Sequence, residues 1–424
     1  MLILYSFALL LVLVVGAPWW LLRMAAGGKY REGLSERLGW IPARIRRGLT
    51  GQPAIWIHAV SVGEVLAASR LIEELTQRLS AAPPRERVLI STTTRTGQRL
   101  ARERFGADRV FYFPLDFAWA VRAWLRALQP RLLVLLETEF WPRMLVECRR
   151  AGIPVAVVNA RISDRSWPRY RRLAWIWRRL LGGLALVLAQ SDLDAERLRA
   201  LGASNVRVGG NLKYDVRIAS PAPVTEALRR SIGPGMPILV CGSTLSGEEE
   251  ILLGALPPGI VAILAPRHPE RFQEVAQLLR SRGIRWVRRS EWLDAPSTVE
   301  PGTVFLLDSI GELASVYSLA TAAFIGGSLI PAGGHNPLEP AQFGVPVAMG
   351  PYYENFRGIV DALRKHDAIR IVSAGELDVA LAEMLSGSPD SRAQGARARQ
   401  VFDSEAGATE RAVQALLNVV ESPS

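Results

Sequence analysis

Trp56-Ile57-His58-Ala59-Val60-Ser61-Val62-Gly63-Glu64 reads as an apolar strand running into a small-residue turn and then a helix that starts at a carboxylate. In open parallel α/β sheets, ligands bind outside the carboxyl ends of the strands. The arrangement therefore holds Glu64 at the mouth of such a domain, where a carboxylate can take the proton of a hydroxyl as a general base. It is equally what an ordinary helix start offers, because the helix dipole favours an acid in the first turn. The stretch alone leaves both readings open, and the rest of the chain has to separate them.

Outward from it, apolar runs of strand length alternate with helical patterns such as Glu64–Leu79 and Trp141–Ala151. The first half predicts strands at Ala54–Val60, Val88–Thr94, Val110–Phe113, Leu132–Glu137, Val155–Asn159, Leu186–Ala189 and Val206–Val208. A Pro-, Ala- and Ser-rich segment, Arg217–Val224, reads as a linker. The alternation then restarts with strands at Ile238–Cys241, Ile260–Ala265, Ile284–Val287, Val304–Leu307, Ala322–Ile325, Val345–Ala348 and Ile369–Val372. Such alternation argues for parallel sheets covered by helices. The expected division is 51–215 for a first α/β domain, 216–224 for the linker and 225–424 for a second, with a cleft between the two domains. A last helical stretch, roughly Asp390–Val420, is expected to pack back across them.

Two domains also suit 424 residues. The two cysteines, Cys148 and Cys241, lie in different halves and form no disulfide framework. The four histidines, His58, His268, His335 and His366, never stand at metal-ligand spacing. Ser191-Asp192-Leu193-Asp194 contains a D-x-D, but it reads as a helix cap, so no metal site is expected.

Charge is uneven. Residues 1–215 carry 33 Lys and Arg against 17 Asp and Glu, a balance of +16, and residues 216–424 carry 18 against 23, a balance of −5. A basic half faces nucleic acid, an anionic membrane surface or an anionic substrate. The absence of any nucleic-acid motif disfavours the first, so no nucleic-acid partner is expected. Residues 1–22 contain no charged side chain, end near Trp19 and Trp20, and are followed by Arg23, Lys29, Arg31, Arg37, Arg44, Arg46 and Arg47 in a basic segment over 23–50. A span needs about 20 apolar residues, and the positive-inside rule places the basic flank in the cytoplasm. The expectation is an uncleaved membrane anchor; a cleaved signal peptide is disfavoured by the missing basic n-region and the long apolar run, and a peripheral apolar helix is the other alternative. Arginines interleaved with Trp167, Tyr170, Trp175 and Trp177 read as a solvated helix, or as a face on anionic headgroups.

Further candidate chemistry sits at the predicted strand ends. In the second half, Gly326-Gly327-Ser328 and Gly333-Gly334-His335-Asn336-Pro337-Leu338-Glu339-Pro340 suit backbone approach to a phosphate, with Asn336 capping a helix. Glu339 is placed to accept ribose hydroxyls, or to complete a capping box with Asn336. Arg267 and His268 offer positive charge, and Ser243 a hydroxyl. Glu248–Glu250 read as an acidic first helical turn. In the first half, Glu137 and Glu139 end a strand and alternation points them apart. Arg161 and Lys213 close two more strands and suit an acceptor phosphate, or helix ends.

The assembled motifs resemble the 3-deoxy-D-manno-octulosonic acid (Kdo) transferases of lipopolysaccharide synthesis. They are HAVSVGE at 58–64, ETEFWP at 137–142, NARISDRS at 159–166, GNLKYD at 210–215, PRHPERF at 266–272, GGS at 326–328, GGHNPLEPA at 333–341 and MGPYYENF at 349–356. The resemblance implies a GT-B glycosyltransferase with two Rossmann-like domains facing a cleft, and an N-terminal membrane anchor helix. It implies CMP-Kdo as donor, a lipid A precursor as acceptor, inversion at the anomeric centre, no cofactor, and a place on the cytoplasmic face of the inner membrane. Glu64 becomes the base on the acceptor hydroxyl. Arg267, Asn336 and Glu339 hold the CMP portion, with His268, Ser243, Gly326, Gly327 and Ser328 completing the donor site. Glu139, Arg161 and Lys213 are assigned to the acceptor. The chain departs from the family pattern at Leu245, where a polar residue is usual, and at Arg95, where Pro is. Another GT-B transferase or epimerase, or a non-catalytic nucleotide-binding scaffold at the membrane, are the competing readings.

Overall fold

The computed structural model describes residues 2–27, 32–48, 53–81, 86–217, 221–294 and 296–421, with the side chains of the first helix described from Tyr5 to Ala17. The side chains of Trp19, Trp20 and Arg23, and residues Lys29 and Arg31, fall outside that description. The chain divides into two compact units, one of residues 1–216 with 406–424, the other of residues 217–405.

The first unit is built on seven parallel strands: β1 (Ala54–His58), β2 (Arg87–Thr92), β3 (Val110–Tyr112), β4 (Pro130–Leu136), β5 (Val155–Ala160), β6 (Leu186–Ala189) and β7 (Val206–Val208). Their order is β3-β2-β1-β4-β5-β6-β7. The chain winds outward from β1 and then resumes on its other side at β4, so the topological switch lies between β1 and β4. Alternation within each strand feeds both faces of the sheet. Trp56, Leu89, Phe111 and Leu133 join one core with Trp124. Ile55, Ile57, Val88, Ile90 and Val134 join the other with Leu71 and Ile72. Being covered on both faces is what makes these strands read as near-continuous apolar runs.

The second unit repeats the plan with β8 (Ile238–Thr244), β9 (Val261–Pro266), β10 (Trp286–Arg288), β11 (Val304–Leu306), β12 (Ala322–Ile325), β13 (Val347–Met349) and β14 (Arg370–Ile371). The order is β10-β11-β9-β8-β12-β13-β14, again all parallel, with its switch between β8 and β12.

All fourteen expected strands are present, within three residues of their expected ends. The helices differ more. Glu64–Leu79 is two helices, Val62–Ala67 and Ser69–Ala81, and the Trp- and Arg-rich stretch is Trp167–Arg172 and Ala174–Leu181. The expected terminal helix is also two, Pro389–Ser404 and Ala408–Glu421, separated by Gly407 at φ +92°. The first belongs to the second unit and the second to the first unit. There Val413 and Leu416 enter the core beside Leu71, and Asp215 caps the helix by accepting the N–H groups of Gly407 and Thr409 at 2.6 and 2.5 Å. The expected linker is short, since a helix starts at Pro223.

The N-terminal helix runs Leu2–Gly27, and the Tyr5 hydroxyl donates to Asp116 Oδ2 at 2.9 Å. Phe7, Leu11, Val12, Val14 and Val15 are exposed. Among the described residues no helix is long and apolar enough to cross a membrane.

Candidate active site

In the first unit the helix Val62–Ala67 starts directly after the three-residue turn Ala59–Ser61 that follows β1, and Glu64 lies in its first turn. Its carboxylate reaches back to accept the Val60 N–H at 2.8 Å and the Ser61 hydroxyl at 3.0 Å. Those two bonds aim the side chain but do not neutralise it. Burial, followed by the charge of Glu137, pushes its pKa up to about 7, with Glu139 adding to the effect. A carboxyl balanced between its two forms near neutral pH is suited to moving a proton. This environment separates Glu64 from an ordinary acid in a first helical turn.

Glu137 directly follows β4, across the switch point, in the left-handed region at φ +56°. That backbone state costs about 1–3 kcal/mol in a residue with a side chain and concentrates at functional sites. Glu137 is the strongest charged neighbour of Glu64, ahead of Glu139. Glu139 is itself raised by burial and then by Glu137. Lys213 has its pKa lowered by burial, while Glu137, Arg161 and Glu64 act on its charge. The structure therefore brings together the predicted Glu64, Glu139, Arg161 and Lys213, and adds Glu137, whose charge acts on Glu64, Glu139 and Lys213. His58 stands apart from this group. It is fully buried, stacked on Phe113 at 3.7 Å, with Nδ1 3.0 Å from Ser91 Oγ, and burial pulls its pKa down to about 3. Ser191 caps its helix through the Asp194 N–H at 3.2 Å, as expected of the D-x-D segment.

In the second unit Arg267 and His268 follow β9 and are exposed. The short helix Leu338–Ala341 starts one residue later than expected, so Pro337 takes the cap position, and Asn336 stands just before it with its Oδ1 accepting the Leu338 N–H at 3.2 Å. Burial pushes the pKa of Glu339 up to about 7 against the opposing effects of the Asn336 side chain and Arg267. Arg267, Asn336 and Glu339 are thus in one electrostatic neighbourhood. His335 belongs there as well. Its pKa is pulled down to about 4 by burial, then by Arg267 and His268, and its Nε2 has no hydrogen-bond partner. Sequence reasoning left it out of the site, although it sits inside the same glycine-rich motif as Asn336.

The Gly326-Gly327-Ser328 loop differs from expectation. Its N–H groups were expected to face a phosphate, yet they are engaged within the protein. Gly326 donates to the Gly242 carbonyl at 2.8 Å. Gly327 and Ser328 donate to Glu248 at 2.6 and 2.9 Å, joined by Leu329 at 2.9 Å and Leu245 at 2.9 Å. The Ser328 hydroxyl is buried and bonded to the Ile325 carbonyl and the Gly350 N–H. Gly326 is a glycine for a steric reason, since a Cβ there would lie 2.5 Å from the Ser243 carbonyl oxygen. Ser243, at φ +57°, is half-buried at the end of β8. At position 245 the backbone N–H makes the contact with Glu248, so the Leu side chain leaves that bond intact.

Two parallel α/β units, each carrying polar groups at the carboxyl side of its switch point, define a protein of the GT-B kind. Acinetobacter baumannii MurG shares the fold, with a TM-score of 0.54 at 14% identity over 87% of this chain and 99% of that one. A family model described as 3-deoxy-D-manno-octulosonic-acid transferase (kdotransferase) matches residues 32–216. The chain is 34% identical over 405 residues to a 3-deoxy-D-manno-octulosonic acid transferase of Haemophilus influenzae, covering 93% of this chain and 85% of that protein. It is 35% identical over 419 residues to one of Bordetella pertussis, covering 94% of each. The chain belongs to the 3-deoxy-D-manno-octulosonic acid transferase family and is a glycosyltransferase of lipopolysaccharide synthesis.

Proposed function

We propose that this enzyme moves Kdo from CMP-Kdo to a hydroxyl of a lipid A precursor with inversion at the anomeric carbon. The observation that carries the reading is the Glu64 carboxylate, poised near pH 7 among Glu137 and Glu139 at the switch point of the first unit. Glu64 takes the acceptor proton, and the acceptor oxygen attacks the anomeric carbon of Kdo. The bond from that carbon to the phosphate oxygen breaks, and its electron pair leaves with CMP. Arg267 favours the departing phosphate by its charge, with His268 beside it. Asn336 and Glu339 face the nucleoside, and Ser243 with Gly326–Ser328 completes the wall of the donor site. Arg161 and Lys213 face the acceptor with Glu139, and their charge suits a phosphorylated lipid.

We place the enzyme at the inner membrane with both units on the cytoplasmic side, held by its N-terminal helix. The outward Phe7, Leu11, Val12, Val14 and Val15 support burial in lipid. The Tyr5–Asp116 bond ties the amino-terminal end of that helix to the same unit its carboxyl end leads into. This favours a helix lying along the membrane face over one that crosses it.

The test incubates detergent-purified protein with CMP-Kdo generated in situ and a tetraacylated lipid A precursor, and weighs the lipid by mass spectrometry. Gains in units of Kdo are expected, and their number gives how many are added. No gain, beside a working transferase as control, overturns the reaction.

A further inference from the structure

Glu248 and Glu249, at the start of the helix Glu248–Gly254, are 0% and 1% exposed, although nothing in a surface helix start requires its acids to be buried. Glu248 receives four backbone N–H groups, three of them from the consecutive residues 327–329. Successive amides curved around one point after a glycine-rich strand end form the concavity that binds phosphate in many proteins. Here the chain fills that concavity with its own carboxylate. A ligand phosphate is excluded from it by charge and by space.

Glu249 holds a second loop. It accepts the Thr244 hydroxyl at 2.8 Å and both terminal nitrogens of Arg271 at 2.7 and 3.1 Å. Arg271 closes the turn that carries Arg267 and His268, its N–H donating to the His268 carbonyl at 3.0 Å. The loop held by Glu248 passes its position on in the same way. The Gly334 N–H donates to the Gly327 carbonyl at 2.7 Å, which fixes the start of the segment bearing His335 and Asn336. A Cβ on Gly327 would lie 2.9 Å from the His335 ring, so these two loops are also in direct contact.

We infer that Glu248 is the positioning residue of the donor site, with Glu249 beside it. Its carboxylate takes the place of a phosphate in the amide concavity and, with Glu249, holds in register the two loops that carry Arg267, His268, His335 and Asn336. The nucleotide phosphate is thereby directed to the Arg267 guanidinium and the polar groups beside it instead of to the glycine loop. The inference rests on the donor reading given above.

The experiment measures Kdo transfer by wild type, Glu248→Ala and Glu248→Asp, varying donor and acceptor separately, with and without millimolar formate. For Glu248→Ala the donor KM is expected to rise by about tenfold or more, the worth of one or two lost charge-assisted hydrogen bonds. The acceptor KM should stay within twofold, and formate, a carboxylate small enough for the vacated concavity, should restore much of the loss. A general folding defect would lower the apparent kcat with both KM values unchanged and would ignore formate, and that result overturns the inference. Should Glu248→Ala fail to fold, Glu248→Asp replaces it, keeping the charge on a shorter stem. A raised donor KM with an unchanged acceptor KM supports the inference, and an unchanged donor KM overturns it. Wild type run alongside separates the two readings, since a wild type that transfers no Kdo overturns the proposed reaction itself.

Discussion

The two units solve one architectural problem and then treat a carboxylate at its centre in opposite ways. Both are seven-stranded parallel sheets with a switch between the first strand and the strand that resumes on its other side. In the first unit the acid near that switch, Glu64, receives one backbone N–H and one hydroxyl, and stands among two more carboxylates. In the second, Glu248 receives four backbone N–H groups. A buried carboxylate whose oxygens are taken up by many backbone donors becomes architecture. One that is underprovided and crowded by like charge has its pKa raised and is left available for proton transfer. The fold supplies the location, and the number of donors decides the role.

The sharpest way to break the comparison is to change both acids to amides. Glu64→Gln should lower kcat by about 10³-fold, within the range of a lost general base, with the donor KM unchanged. Calorimetry should find CMP binding intact. Turnover within a few-fold of wild type would remove Glu64 from the mechanism and leave the first unit with no chemical role for its unsatisfied acid. Glu248→Gln should act on stability instead. Placing an amide against four N–H donors leaves donors unmatched, at about 1–3 kcal/mol, so thermal unfolding should come at lower temperature. A Tm equal to wild type would mean the concavity does not need its anion.

Glu137 sharpens the first half of the comparison. Its charge is the second cause, after burial, of the raised Glu64 pKa. Glu137→Gln should therefore move the acidic limb of the kcat/KM profile from about 7 toward lower pH, by about one unit for each 1.4 kcal/mol of repulsion removed. Rate measurements from pH 5 to pH 8 would show it. An unmoved limb would make burial alone responsible.

Much of this was legible before the structure. Strands buried on both faces announce themselves as apolar runs, and the motifs at their carboxyl ends locate the residues that gather at each switch point. What escaped depends on distance along the chain. Three of the four partners of Glu248 lie 79 to 81 residues away, and nothing in Glu-Glu-Glu distinguishes an acid held by a glycine loop from one facing water. The amides of Gly327 and Ser328 looked free for the same reason, because their acceptor is remote. Periodicity also ran through the helix break at Ala68 and through Gly407, where a single left-handed residue returns the chain to the first unit. Gly407 was the available signal, hidden by helical patterns on both sides of it.

The smallest effect tests the comparison on stability alone, without substrate. Folded Glu64 holds its proton up to about 7, whereas the unfolded chain releases it near 4.5. Between those values the native state binds more protons than the unfolded state, so stability falls as pH rises through the window. The loss is complete above pH 7 and absent below pH 4.5. Gln cannot ionise, so Glu64→Gln should match wild type at pH 4 and unfold later than wild type at pH 8. Solvent screening of a partly exposed group leaves roughly 1 kcal/mol of the effect, or about 2–4 °C in Tm. Glu248→Gln should move Tm the other way at the same pH. If both amides destabilise at pH 8, Glu64 is held as well as Glu248 is, and the unit that performs the chemistry has no strained acid to perform it with.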